Sequence, residues 1–402
     1  MKTHSSFRQF FTQAAFLAFF FAFTVFFPVA QASDHADPVP PLKKKGLDDG
    51  LIGLNGLYGF IDGDRLIIMV NAGRELIDVP DDVAAALKET VYKVHFDTHT
   101  PVTFDNLLML QRFGGSIAPE AWPNIAPDAS ITFRIKKDST GGISDKRIVF
   151  QSEPTVTGLS NPSEIQFQAG LFDDPFLFNR FNNKNTLAMI ASIPLSSFAG
   201  KPRNFVIWAA AHRSNGAQFD HVGRAGRTQQ PRLEILNTLP PSKHVPAVVE
   251  ERNKNMMQQS LLKAVFNKEV KDFINRELSI RIQQIFQIRR YDSDIPDVMI
   301  LNLDRPVGYP NGNVPGDDVV RYTCLEGLGE CQLWEIASFT DACQPRRTYQ
   351  DKPLLNSMPY LGEPWTAQIS KEEIQSQCQR DREQFVEFVK PGSRLQLKPV
   401  AK

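Results

Sequence analysis

The chain has 402 residues, and its 45 Lys and Arg side chains balance its 45 Asp and Glu side chains. That balance leaves no electrostatic case for nucleic-acid binding. The length suffices for a substantial core in one large domain or two.

The first 32 residues read as an address. Lys2 and Arg8 give a positive start, an apolar run extends from Phe10 to Val29, and Ala30-Gln31-Ala32 fits a small-residue cleavage site. This is the layout of a secretory signal peptide. The run is long for one, so an uncleaved membrane anchor is the competing reading. Pro28 and the Ala-x-Ala site favour cleavage, and no Cys stands at the cut to carry a lipid. Ten of the 30 phenylalanines lie in this stretch, so the aromatic content overstates the core. No later run is apolar enough over sufficient length to cross a bilayer. The mature chain is expected in the periplasm or outside the cell.

Ser33-Asp34-His35-Ala36-Asp37-Pro38 opens the mature chain, followed by a polar linker through Lys43-Lys44-Lys45-Gly46. Leu57 to Ile61 and Arg65 to Val70 flank Asp62-Gly63-Asp64, a hairpin signal. Pro80-Asp81-Asp82 starts a short helical turn. Val91 to Asp97 alternates, with Tyr92, Val94 and Phe96 on one side and Lys93, His95 and Asp97 on the other. Ile131, Phe133 and Ile135 alternate likewise, and Arg147 to Gln151 and Ile165 to Ala169 add short strands. Thr186 to Ile193 and Asn204 to Ala211 are nearly continuous apolar runs, suited to central strands covered on both faces. Short strands separated by Gly, Pro and Asn turns argue for an antiparallel β-sandwich-like body.

The composition changes at Pro240-Pro241. Leu261, Leu262, Val265, Phe266, Val270, Phe273, Ile274 and Leu278 recur at three- and four-residue steps, which predicts amphipathic helices between 245 and 288. They pack on the body or grip a partner; the pattern is the same for both. A final helix is predicted over 371–390. The resulting division is a leader at 1–32, a sandwich body at 33–240, a helical insertion at 241–292 and a C-terminal segment at 293–402 packed on the same body. Cys324, Cys331, Cys343 and Cys378 all fall in that last segment. An even number in an exported chain favours disulfides, and no Cys-x-x-Cys pair points to a metal or redox motif.

Candidate ligands for a divalent cation are Asp34, His35 and Asp37, and also Asp173 and Asp174 within Phe172-Asp173-Asp174-Pro175-Phe176. Asp173 and Asp174 read equally well as turn caps ahead of Pro175. His212, His221, Arg224 and Arg227 cluster within sixteen positions and suit a carboxylate or phosphate. The same arginines serve a solvated loop equally well. There is no P-loop, no Gly-x-Ser-x-Gly elbow and no His-Glu-x-x-His. The residues therefore point to an exported binding or scaffold module with divalent-cation support. The alternatives are a metal-dependent extracytoplasmic hydrolase or oxidase using His35, and a partner-binding protein using the 245–288 helices.

Several segments together resemble an exported bacterial family, domain-of-unknown-function 4331. They are Ser33 to Pro38, Leu57-Tyr58-Gly59-Phe60, Tyr92 to Asp97, Asp173-Asp174-Pro175-Phe176 and Val222 to Arg227. In the same order follow Pro296-Asp297-Val298, Tyr309-Pro310-Asn311-Gly312, Gly316 to Val320, and Met358-Pro359-Tyr360-Leu361. The resemblance spans most of Ser33 to Trp365 and implies no activity. It also marks departures. Gly56 stands where family members often have an acid, Thr98-His99-Thr100-Pro101 replaces an acidic loop suited to a cation, and Gly223 replaces the acid of Val-Asp-Arg.

Overall fold

The computed structural model describes residues 52–73, 76, 79–138, 148–176, 184–224, 236–250, 295–317, 319, 352–367, 373 and 376. Contacts divide the chain into two compact units, Met1–Gln31 and Ala32–Lys402. The first lies outside the described residues, as do Asp34, His35, Asp37, Arg227 and the four cysteines.

The body is built from antiparallel strands in two main sheets. The first sheet has the order β1-β2-β9-β8: β1 (Leu54–Asp62), β2 (Arg65–Ala72), β9 (Asn185–Pro194) and β8 (Gln166–Asp173). The second runs β11-β10-β3-β4-β7: β11 (Gln218–Val222), β10 (Asn204–Arg213), β3 (Thr90–Asp97), β4 (Ala129–Phe133) and β7 (Thr155–Thr157). A further strand, β12 (Met299–Asn302), also pairs with β10. A small ribbon joins β5 (Ile135–Lys137) to β6 (Ile148–Phe150). The alternation expected across 131–136 thus divides between two strands, with Arg134 at the break.

Period-two alternation explains the layering. Leu66, Ile68 and Val70 of β2 and Met189, Ala191 and Ile193 of β9 share one buried cluster with residues of the second sheet. Those partners are Tyr92, Val94 and Phe96 of β3 and Phe205, Ile207 and Ala209 of β10. The other face of the first sheet is also apolar: Tyr58, Phe60, Ile67, Met69, Ala188 and Ile190 cluster with Leu361. The 352–367 segment therefore lies against this body. On the second sheet, Val206, Trp208 and Ile300 pack with Ile117 and Ile125. Both continuous apolar runs gain cover on both faces, and β9 is buried at all ten positions.

The predicted hairpin closes with Asp62 opposite Arg65, Gly63 taking a left-handed φ of 60° at the turn. Helix α1 (Asp81–Glu89) forms where Pro80-Asp81-Asp82 signalled it, with Asp81 and Asp82 in the first turn and Val83 and Leu87 buried. Helix α2 (Leu107–Phe113) was not anticipated. Asn106 caps it by accepting the Met109 N–H, and Gly114 ends it at φ 74°. Of the predicted helical region, 244–250 is helical; most of the remainder, and most of the final helix, lies outside the described residues.

Strands β11 and β12 occupy the same edge of β10 end to end. Val222 stands opposite Ala209 and Met299 opposite Ile207, so the two form one interrupted edge strand. The break faces Trp208, and residues 223–298 leave and return there. A polar cluster lies at this junction.

Candidate functional site

Three polar arrangements stand out, and the sequence candidates distribute unevenly among them. The first is the loop after β3. Asp97 is buried at the strand end. Its Oδ1 accepts the backbone N–H groups of His99 at 3.0 Å and Thr100 at 2.8 Å, and its Oδ2 accepts the Thr100 hydroxyl at 2.6 Å and the Ala126 N–H at 3.2 Å. Asp97 thus folds the loop back on itself, as a strand-ending Asp followed by Thr-His-Thr is suited to do. Asp128, just ahead of β4, accepts the Thr98 N–H and hydroxyl on Oδ2 at 2.7 and 2.8 Å. His99 Nδ1 lies 2.6 Å from the same oxygen. Among the described residues, Asp97, His99 and Asp128 each bring one potential ligand atom to within 4.8 Å of the others. The His99 side chain is 82% exposed. The residues of this group stand up to 31 positions apart in sequence, so no short motif announces it.

The second arrangement holds Asp173, the last residue of β8, and Asp174 just past it, which meet different partners. Asp173 Oδ1 accepts the Trp365 indole N–H at 2.5 Å. Asp174 Oδ1 accepts the Phe176 N–H at 3.1 Å across Pro175, while Oδ2 lies 3.4 Å from Asn55 Nδ2. The turn-capping alternative is thus visible at Asp174. Asn185 completes the tie, donating to the Trp365 carbonyl and accepting its N–H at 2.9 and 2.7 Å.

The third arrangement lies at the interrupted edge strand. Asp220 and His221 point to opposite faces of β11. Asp220 accepts the Leu54 N–H at 2.7 Å and so ties the second sheet to β1. His221 is fully buried; its Nε2–H donates to the Asp297 carbonyl at 2.9 Å. Its ring meets that of His244 edge-on at 4.6 Å. His244 Nε2 donates to the Leu239 carbonyl, and its Nδ1 accepts the Asp297 N–H. Asp297 Oδ1 accepts the Arg224 N–H at 2.9 Å and lies 3.7 Å from Arg224 Nε. A side chain at Gly223 would stand 2.3 Å from the Asp297 carbonyl, so only glycine permits this approach.

Of the predicted group His212, His221, Arg224 and Arg227, His221 and Arg224 meet at the Asp297 carboxylate, and Arg227 lies outside the described residues. His212 and His221 lie on the outer face of the second sheet, beside Lys93 and His95, whereas Arg224 lies past the end of β11. His95 touches Trp208 at 5.2 Å between rings and hydrogen-bonds Ser130 at 2.8 Å. Burial, then His212, Lys93 and His221, hold its pKa down to about 3. Burial also lowers that of His212, against the opposing bond to the Gly216 carbonyl. These two rings stay neutral at pH 7 and supply no positive charge to an anion. The sequence reading missed Asp97, Asp128, His244 and Asp297 as site residues; the last three act through partners distant in the chain, whereas three of the four bonds to Asp97 are local.

No helix among the described residues is long and apolar enough to cross a membrane. No family model, curated protein or solved structure compared with this chain matches it.

Proposed function

We propose that the chain is an extracytoplasmic binding or scaffold module, a divergent relative of the 4331 family, whose sandwich carries a divalent cation at the corner formed by Asp97, His99 and Asp128. The supporting observation is the convergence of those three ligand atoms within 4.8 Å. One imidazole beside two carboxylates suits a borderline ion such as zinc or copper better than calcium, which favours all-oxygen shells. The corner coincides with the loop in which the resembled family carries its acidic residues. His99 supplies here a ligand that those positions lack. A cation at this corner would join the end of β3 to the entry of β4, as the Thr98 and His99 contacts to Asp128 already do.

The exposure of His99 favours a second reading. With the His99 side chain 82% exposed, a metal held there would be open to water or substrate, as a metal-dependent hydrolase or oxidase needs. Thermal unfolding of the chelator-treated full chain with added calcium, zinc or copper tests the cation reading. A saturable rise in Tm with zinc or copper, absent in Asp128→Asn, supports it. The same rise in the variant, or none in either protein, removes it. Metal-dependent turnover of a hydrolysable ester by the wild type, lost in His99→Ala, would select the enzyme reading.

A further inference from the structure

Helix α2 is apolar almost all round and yet stands at the surface. Leu107, Leu108, Met109 and Leu110 follow one another at steps of about 100°, so they cover the whole circumference of its first turn. Phe113, at the other end, is its one buried residue. Leu107 is 66% exposed and Leu108 44%, and Asp105 and Asn106 just ahead of them are exposed as well. A helix apolar on every side is ordinarily enclosed on every side. The excursion that carries it is a closed loop, because Thr103 and Ser116 exchange two backbone hydrogen bonds of 2.8 Å at its neck. At the far end of the helix, Gly114 at φ 74° approaches the Pro310 carbonyl, where a Cβ would stand 2.3 Å away. The tip is thus held beside the loop that carries Arg305.

We propose that this loop tip docks the protein on a phospholipid bilayer, with Leu107 and Leu108 entering the acyl boundary and Arg305 meeting lipid phosphate. The Arg305 guanidinium lies 4.6 Å from the centre of the ring of Phe104, three positions before Leu107. Among the described residues no carboxylate pairs with it; neighbouring Asp304 pairs with Arg203. A guanidinium resting on an aromatic ring beside an apolar tip is placed to reach headgroup oxygens. Exposed Asp105 offsets this charge, so the apolar tip supplies most of the binding. A protein groove covers one stripe of a helix, at spacings of three and four. Lipid instead encloses adjacent positions such as 107 and 108 together. The surface is separate from the Asp97 corner and needs no cation there.

The test is sedimentation of the full chain with sucrose-loaded vesicles of phosphatidylcholine, alone or mixed with phosphatidylglycerol. The expected result is saturable binding to both, weakened about tenfold or more when Leu107→Ser and Leu108→Ser are combined. Both positions are exposed, so that variant is expected to keep the wild-type Tm. Arg305→Gln is expected to weaken binding to the mixed vesicles by up to about fivefold. In a second measurement, Leu107→Trp is expected to show fluorescence quenching by brominated phosphatidylcholine beyond the wild-type background, which places the tip itself, rather than the apolar leader, in lipid. No vesicle binding, equal binding by wild type and the double Leu variant, or no added quenching would overturn the proposal. A concentration-dependent dimer abolished by Leu107→Ser, without vesicle binding, would also overturn it and give the tip to a second copy of the chain.

Discussion

Asp297 accepts the backbone N–H of Arg224 at 2.9 Å across 73 positions of chain, and so closes the gap between β11 and β12. The edge strand of the second sheet is thereby held in line although residues 223–298 depart from it midway. Asp297 is fully buried. Replacing it by Asn removes the one carboxylate paired with Arg224 among the described residues. Removing one partner of a buried charge pair typically costs about 3 kcal/mol or more. We expect Asp297→Asn to lower the urea midpoint accordingly, and Gly223→Ala to lower it through the 2.3 Å clash with the Asp297 carbonyl.

The loop after β3 separates two roles. Asp97 receives four hydrogen bonds, whereas His99 is largely exposed. In metal-free protein, Asp97→Ala is expected to cost about 2–4 kcal/mol, because buried donors lose a charged acceptor. His99→Ala is expected to cost under about 1 kcal/mol, because its partner pair is exposed. Equilibrium denaturation of both variants checks the contrast.

His95 gives the fold a defined acid sensitivity. Its folded pKa, near 3, lies below the unfolded value of 6.5. Between those values the unfolded chain binds the extra proton, so the stability contribution of neutral His95 is intact above pH 6.5 and is lost progressively as pH falls towards 3. The slope from this one group is at most about 1.4 kcal/mol per pH unit. His95→Gln is expected to flatten the stability profile in that window and leave it unchanged above pH 7. Denaturation midpoints measured from pH 7 to pH 4 provide the check.

The 352–367 segment is secured at Trp365, through Asn185 and Asp173 and through Lys352, whose ammonium lies 4.2 Å from the indole centre. Trp365→Phe keeps a ring but removes the indole donor to a buried carboxylate. The expected cost is about 1–3 kcal/mol. Limited proteolysis is expected to cleave this segment faster in the variant, with the sandwich body preserved.

What was legible in the sequence is what local pattern encodes. Tyr92, Val94 and Phe96 announce the inner face of β3, and the unbroken apolar runs of β9 and β10 announce strands covered on both faces. Gly63 marks the first hairpin. What was not legible depends on distant partners. Gln218-Phe219-Asp220-His221-Val222 does not read as a strand, because Asp220 and His221 are stabilised by Leu54 and Asp297, which lie far off in sequence. Met299 to Asn302 is short for a strand signal and gains its role by extending the line of β11 along β10. Within the group predicted from His212, His221, Arg224 and Arg227, strand pairing sets His212 and His221 on one face, and His221 meets Arg224 through Asp297, which no local pattern links to either. Asp97 and Asp128 escaped notice because their meeting depends on β3 pairing with β4.

The most direct test of the proposed function is elemental analysis of the full chain, expressed with export to the periplasm and purified without chelator. The account predicts close to one equivalent of zinc or copper per chain, lost in both His99→Ala and Asp128→Asn. Protein that carries no stoichiometric metal, or variants that retain it, would contradict the account.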